Sequence, residues 1–223
     1  MKYPISFDID FRRNEFPGKF IVLEGIEASG KTTQVKKLGE KFPDAILTKN
    51  PTESQIGKLI RNEVLGGHSS IPPVAYQYLF AADREIQQEE IIGYLKEGKA
   101  VISDRYFWSS VAYGIADREG MDYEDWENVS LVAFSILSMY HQFVLPDLTI
   151  YLDISLEESL RRMEGSAKHT EIYDNPEMNI KIKKGYKWLL EKFPEEFKVV
   201  NAERDGNEIS SELTEIIGRL KLT

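Results

Sequence analysis

The chain has no cysteine among its 223 residues and only three histidines. The first absence removes disulfides, thiolate metal sites and thiol nucleophiles. His68, His141 and His169 are irregularly spaced and make no zinc pattern. No apolar run approaches the roughly eighteen residues of a membrane span, so no membrane partner is expected. Residues 1–20, MKYPISFDIDFRRNEFPGKF, alternate apolar with charged side chains and lack the apolar core of a secretory leader. With the lack of cysteine, that leads to the expectation of a cytoplasmic protein. Positive charge is also in short supply: 28 lysines and arginines against 37 aspartates and glutamates give a net charge of −9. A nucleic-acid partner needs an extended basic surface and is therefore not expected. A compact phosphate site remains open if a few cations converge on one cleft. No internal repeat or low-complexity tract interrupts the chain, and its length suits a single domain with a sizeable core.

Short apolar runs alternate with longer amphipathic segments, the pattern of an α/β protein whose parallel sheet is covered on both faces. Strands are expected at Phe20–Glu24, Ala45–Thr48, Ala100–Ser103, Leu148–Asp153 and Lys198–Asn201. Helices are expected after residue 30 (Val35, Leu38 and Phe42 on one face), near Ile56–Val64, from Pro72-Pro73 to Glu97, and over Tyr123–Tyr140. Ser155-Leu156-Glu157-Glu158 reads as a capping box opening a helix that carries Arg161 and Arg162. Helices near Glu177–Phe193 and Glu208–Leu220 complete the pattern. Residues 1–18 precede the first strand as an arm, expected to be mobile or to cover an edge.

GIEASGKT, from Gly25 to Thr32, follows the first strand and fits G-x-x-x-x-G-K-[ST] at every fixed position. Its glycines let backbone N–H groups turn inward around a polyphosphate. Lys31 is expected on the β- and γ-phosphates and the Thr32 hydroxyl on Mg²⁺, so a nucleoside triphosphate is the expected ligand. Asp104-Arg105-Tyr106 follows the third strand, and ligands of open parallel sheets bind beyond the strands' carboxyl ends. Asp104 is therefore expected to hold Mg²⁺ through water and Arg105 to face a bound anion, with an ordinary strand-end ion pair as the alternative.

LEGIEASGKTTQ, PTESQIGKLIR, LFAADR, DRYFWSSVAY, PDLTIYLD and EIYDN occur in the order found in thymidylate kinases, and from about residue 19 to 205 the chain resembles that family. The resemblance implies the P-loop NTPase three-layer fold, a five-stranded parallel sheet flanked by helices, as one nucleoside-monophosphate kinase domain over 19–223 with a small lid near 161–178. It implies ATP as donor, Mg²⁺ as cofactor, dTMP as acceptor and a homodimer. ATP would lie on Gly25, Ile26, Glu27, Ala28, Ser29, Gly30, Lys31, Thr32 and Thr33, with Arg161 as a catalytic cation of the lid that also contacts it. Phe80 would stack on thymine, although its helical setting alone reads as core. Arg84, four residues on, shares its face and would hold the 5′-monophosphate with Arg105. Ser109 and Ser110 would offer hydroxyls to the base edge, Tyr113 would crowd the ribose 2′ position, Glu27 would contact the 3′-hydroxyl and Tyr173 would close over the substrate. Transfer would be direct and in line, with charge shared by Lys31, Mg²⁺ held by Thr32 and Asp104, and lid cations.

Several positions depart from the family pattern. The loop slot that carries a catalytic basic residue in some members is Ala28, so the lid is expected to supply the cation. Arg161 and Arg162 stand at its start, yet the common D/E-R-F/Y-E motif reads Glu171-Ile172-Tyr173-Asp174. Lys168 is the expected substitute, with His169 as a second candidate. Gly114 replaces a common glutamine. Lys49-Asn50-Pro51-Thr52-Glu53 lacks the arginine common near the acceptor phosphate. Trp108 is expected to pack against a neighbouring helix, with a reshaped base pocket as the alternative. A kinase for another monophosphate or for a deoxynucleoside stays open, as does a catalytically silent nucleotide-binding module.

Overall fold

The apolar runs become strands within one residue of their expected bounds: β1 Phe20–Glu24, β2 Ile46–Lys49, β3 Val101–Asp104, β4 Leu148–Asp153 and β5 Phe197–Asn201. They pair in parallel in the order β2-β3-β1-β4-β5. The computed structural model describes residues 8–67, 70–118, 120, 122, 125–164 and 172–220. β1 and β3 are buried at every residue, which is why they read as unbroken apolar runs and not as alternating ones. The register sets Leu23 beside Asp104 and Glu24 beside Tyr151. The turn after β1 therefore opens next to the turn after β3, at the carboxyl edge where such sheets bind ligands.

The flanking helices are α1 Lys31–Lys41, α2 Gln55–Leu59, α3 Pro73–Lys96, α4 Phe107–Ala116, α5 Trp126–Leu137, α6 Leu156–Glu164, α7 Pro176–Lys192 and α8 Gly206–Gly218. The expected 56–64 helix changes pitch midway, with a π-helical turn over Ile60–Leu65. Tyr123, where the next helix was expected to start, lies outside the described residues; that helix ends in a 3₁₀ turn over Ser138–Tyr140. The Ser155 capping box forms only by half. Ser155 Oγ accepts from the Glu158 N–H at 3.1 Å, but the reciprocal partner of the Ser155 N–H is Glu203, because Glu158 is held by Arg161 and Arg162.

α4 is the element the sequence conceals. All ten of its residues are buried, so it has no polar face to produce a helical period. Trp108 lies within it and packs against the rings of Phe11, Phe193 and Phe197, away from the ligand cleft, as expected of a packing residue. The described part of the N-terminal arm docks behind this helix. Phe11 stacks on Phe107 at 6.0 Å between centroids, and Leu145 N–H donates to the Arg12 carbonyl at 2.8 Å.

α4 also meets α7, so closely that a Cβ on Gly185 would stand 2.6 Å from the Ala112 carbonyl oxygen and 2.7 Å from its Cα. Both obstacles are backbone and cannot rotate away. Gly185→Ala is expected to lower stability by about 1–3 kcal/mol despite its better helix propensity, or about 2–4 °C in Tm per kcal/mol for a domain of this size. Gly93→Ala in α3, with nothing within 4 Å of the added Cβ, is expected to raise stability by about 0.5–1 kcal/mol. Thermal unfolding of the two variants checks the contrast.

Candidate active site

Between β1 and α1 the chain turns sharply, with φ of +152° at Gly25, +57° at Ala28 and +94° at Gly30. At Gly25 a side chain would also collide, since a Cβ would lie 2.6 Å from Ser29 Oγ and 2.8 Å from the Leu152 carbonyl oxygen. Lys31 folds back over the loop, Nζ donating to the Ile26 carbonyl at 2.8 Å and to Ser29 Oγ at 3.2 Å. Burial and the nearby Arg105 charge bring its pKa down to about 8, against the opposing pull of Glu27, Asp104 and Glu24.

The turn after β3 faces this loop. Thr32 Oγ1 donates to Asp104 Oδ2 at 2.5 Å, bringing together the two oxygen ligands expected for a metal. Arg105 adopts φ +71°, and its N–H donates to the Leu23 carbonyl at 2.9 Å. That twist sends its guanidinium across the loop to the Gly25 carbonyl at 3.2 Å, to Ser109 Oγ at 3.3 Å and to the Glu27 carboxylate. Tyr113 lies under the guanidinium at 5.0 Å and donates its hydroxyl to Glu27 Oε1 at 2.6 Å. Burial alone would raise the Glu27 pKa; Arg105, Lys31 and the Tyr113 hydroxyl overcome it and set the value at about 2. Beneath the pair, the fully buried Glu24 accepts from the N–H groups of Tyr106 (2.9 Å) and Ser109 (3.3 Å), and from the hydroxyls of Ser109 (2.6 Å) and Tyr186 (2.7 Å).

α3 forms the far wall. Arg84, buried, donates to Ser110 Oγ at 2.8 Å and to Asn50 Oδ1 at 3.2 Å, and its guanidinium lies 5.5 Å from the Phe80 ring centroid. The Tyr173 ring meets that of Tyr113 edge-on at 4.8 Å, and its hydroxyl donates to Asp117 Oδ2 at 3.0 Å. Burial pushes the Asp117 pKa up to about 6 even though Tyr173 and Gln77 both donate to it.

These walls enclose one cleft of about 810 Å³. Glu27 to Thr33, Phe80, Arg84, Asp104, Arg105, Ser109, Ser110, Tyr113 and Tyr173 line it together, as grouped from the sequence. Gly25 and Ile26 stand behind the loop, outside the lining. Arg161 is not brought into the lining. Its side chain is 69% exposed and paired with Glu158, whereas Arg162, one residue on, lines the cleft and donates to the Ala28 carbonyl at 3.4 Å. A single step along α6 turns a side chain by about 100°, so only one of the pair can face inward. The hydroxyls of Ser109 and Ser110 already engage Glu24 and Arg84 respectively. Lys168, His169 and Glu171 lie outside the described residues. Ile172 is an anchor, its N–H donating to the Leu65 carbonyl at 2.9 Å and its side chain packed on the core.

The sequence reading missed three cations of the lining, Lys49, Arg61 and Arg204. The 49–53 loop has no arginine, but Arg61 reaches back from the π-helical turn to the Pro51 carbonyl at 2.8 Å and the Thr52 carbonyl at 2.6 Å. Its signal was hidden because the pitch change breaks the helical spacing that would have aimed it. Arg204 lines the opposite end from the β5–α8 turn, for which no motif gave warning.

Known proteins are similar to this chain. The family model described as thymidylate kinase matches residues 23–213. A probable thymidylate kinase of Pyrococcus horikoshii is 42% identical over 210 residues, covering 90% of this chain and 96% of its own. A thymidylate kinase of Caldanaerobacter subterraneus is 34% identical over 190 residues, covering 82% and 87% respectively. Among solved structures, the thymidylate kinase of Candida albicans superposes with a TM-score of 0.78 over 92% of each chain, at 27% identity. With the phosphate loop, the Asp104-Arg105 turn and the Phe80–Arg84 helix gathered in one cleft, the chain belongs to the thymidylate kinase family.

Proposed function

We infer that this protein transfers the γ-phosphoryl group of ATP to dTMP, giving dTDP and ADP. The observation that carries the reading is Arg105: one guanidinium bonds the phosphate loop at Gly25 and Glu27 and lies over Tyr113, in the same cleft as Phe80. Loop amides and Lys31 would bind the β- and γ-phosphates, and Arg105 would orient the acceptor phosphate for in-line attack. A dTMP phosphate is already anionic at neutral pH, so no strong general base is required. Glu27, ionised and aimed by Arg105 and Tyr113, would accept from the 3′-hydroxyl. Phe80 would carry the thymine ring. Because Arg84 sits beside that ring and bonds Asn50 and Ser110, neither of them in the phosphate loop, we assign it to the base end, leaving the acceptor phosphate to Arg105.

Thr32 and Asp104 fit a magnesium ion: they offer two hard oxygens side by side, and among the described residues no cluster of three or more acidic, histidine or cysteine ligands competes. Such a donor set suits Mg²⁺, which keeps waters and substrate phosphates in its shell. The ion, held by Thr32 and Asp104, would offset the negative charge of the phosphates during transfer. Arg162 supports the loop from α6, and Lys168 is proposed as the lid cation in place of an arginine at 172. A homodimer is proposed through the exposed stripe Val74, Tyr78 and Ile86 of α3 together with Leu59.

Three measurements test this reading. In an ADP-release assay offering dTMP, dUMP, UMP, dCMP, dGMP and thymidine separately, dTMP should give the highest kcat/KM. Lys31→Ala should abolish turnover, and Lys168→Ala should lower kcat on the order of 10²-fold or more, as loss of a charge-stabilising group does elsewhere; unchanged turnover would remove Lys168 from the mechanism. A bound triphosphate favours the charged form of Lys31, so ATP binding should take up about half a proton at pH 8, rising toward one by about pH 9, and affinity should fall as pH rises above 8. Calorimetry in buffers of different ionisation enthalpy reads this uptake, and Lys31→Arg, which cannot deprotonate, should lose it. Sedimentation velocity should find Tyr78→Asp monomeric if the α3 stripe is the dimer contact.

A further inference from the structure

Among the described residues, two side-chain amide oxygens of the cleft wall are buried without any hydrogen-bond partner, Gln34 Oε1 and Gln77 Oε1. They lie at opposite ends. Gln34 is held by the Gly206 carbonyl beside the phosphate loop, and Gln77 by Asp117 at the acceptor end. An acceptor shielded from water and left unpaired is costly, and in a ligand cleft it marks where the ligand brings a donor.

Gln77 is placed to meet the base. Gln77, Phe80 and Arg84 follow one another at i, i+3 and i+7 along α3, which puts all three on one helical face, and all three line the cleft. On the facing helix stands Gly114. A Cβ there would lie 3.2 Å from both Cγ and Cδ of Gln77 and 2.3 Å from Ile136 Cδ1, so the amide occupies its position because residue 114 has no side chain. The amide's orientation is fixed as well. Nε2 donates to Asp117 Oδ2 at 3.0 Å, and the same oxygen accepts from the Tyr173 hydroxyl at 3.0 Å. Turning the amide over would set Oε1 against that carboxylate oxygen. The group therefore presents an acceptor and not a donor.

Resting on the dTMP kinase reading above, we propose that Gln77 reads the acceptor base, its Oε1 accepting the thymine N3–H while Asp117 and Tyr173 hold the amide in register. The chemistry of dTMP leaves little choice. Its donors are the base N3–H and the sugar 3′-hydroxyl, and Glu27 stands at the sugar end beside the phosphate loop. Cytosine carries a bare lone pair at N3, which would face Oε1 with no proton between them. The cleft thus favours imide pyrimidines, thymine and uracil, over cytosine, and rejects by leaving a polar pair unmet.

The test compares dTMP with N3-methyl-dTMP, which keeps the ring, the methyl and both carbonyls but has no N3–H, in wild type and Gln77→Met. Wild type should prefer dTMP strongly. Gln77→Met should lose about 10- to 100-fold in kcat/KM on dTMP, chiefly through KM, and its preference for dTMP over both N3-methyl-dTMP and dCMP should shrink by a similar factor. A Gln77→Met enzyme with both preferences intact overturns the proposal. Asp117→Asn provides a second readout, since it frees the amide to turn: relative turnover of dCMP should rise, and an unchanged ratio of dCMP to dTMP counts against the orienting role. Wild type inactive on every acceptor would sink the kinase reading itself, whereas active wild type with unaltered variants sinks only the assignment of Gln77.

Discussion

Everything at the mouth of the sheet depends on one buried carboxylate. Glu24 ends β1 with no exposure to solvent and takes four hydrogen bonds, two from backbone N–H groups at the start of α4 and two from hydroxyls on α4 and α7. A carboxylate is tolerated at such depth only when its lone pairs are fully met. Meeting them joins the central strand, the helix that carries the acceptor wall and the helix that backs it. The same contacts hold the Tyr106 amide in place and thereby constrain Arg105, whose left-handed backbone is uncommon for a residue with a side chain. Arg105 crosses to the phosphate loop because the residue after it is tied down.

Above this floor the charges are arranged to offset one another. Lys31, Arg105 and Arg162 gather at a cleft in a protein of net charge −9. Glu27 and Asp104 stand between them, one held by Arg105 and Tyr113 and the other by Thr32. Without these carboxylates the cations would repel one another. With them that repulsion is reduced, yet cations still outnumber carboxylates along the lining, so the empty cleft keeps a positive potential directed to the points where phosphates add charge. The scarcity of basic residues over the whole chain is thus compatible with a strong anion site, because position and not number sets the local field.

Much of this was readable from residue order. The phosphate loop and five strands were legible because buried parallel strands leave unbroken apolar runs and the loop's chemistry demands fixed residue types. α4 was not, since a helix buried on all sides carries no periodic signal. Arg161 and Arg162 were indistinguishable in sequence, and the winding of α6 on the loop decided which of them faces inward. Arg61 was hidden by a change of helical pitch. Gln77 left no trace as a site residue: nothing in AYQYLF separates a core-facing glutamine from one that lines a cleft, and only the packing against Gly114 and the bond to Asp117 reveal the difference.

The stacking of Phe11 on Phe107 gives the N-terminal arm a part in this scheme. The matched family span begins at residue 23, after the arm, yet Phe11 braces the rear of the helix whose front carries Ser110 and Tyr113. The ligand-facing wall is therefore clamped by two parts of the chain, α7 and the arm. A boundary drawn where the family begins would cut away one jaw of that clamp and leave Phe107 and Trp108 with a bare aromatic flank.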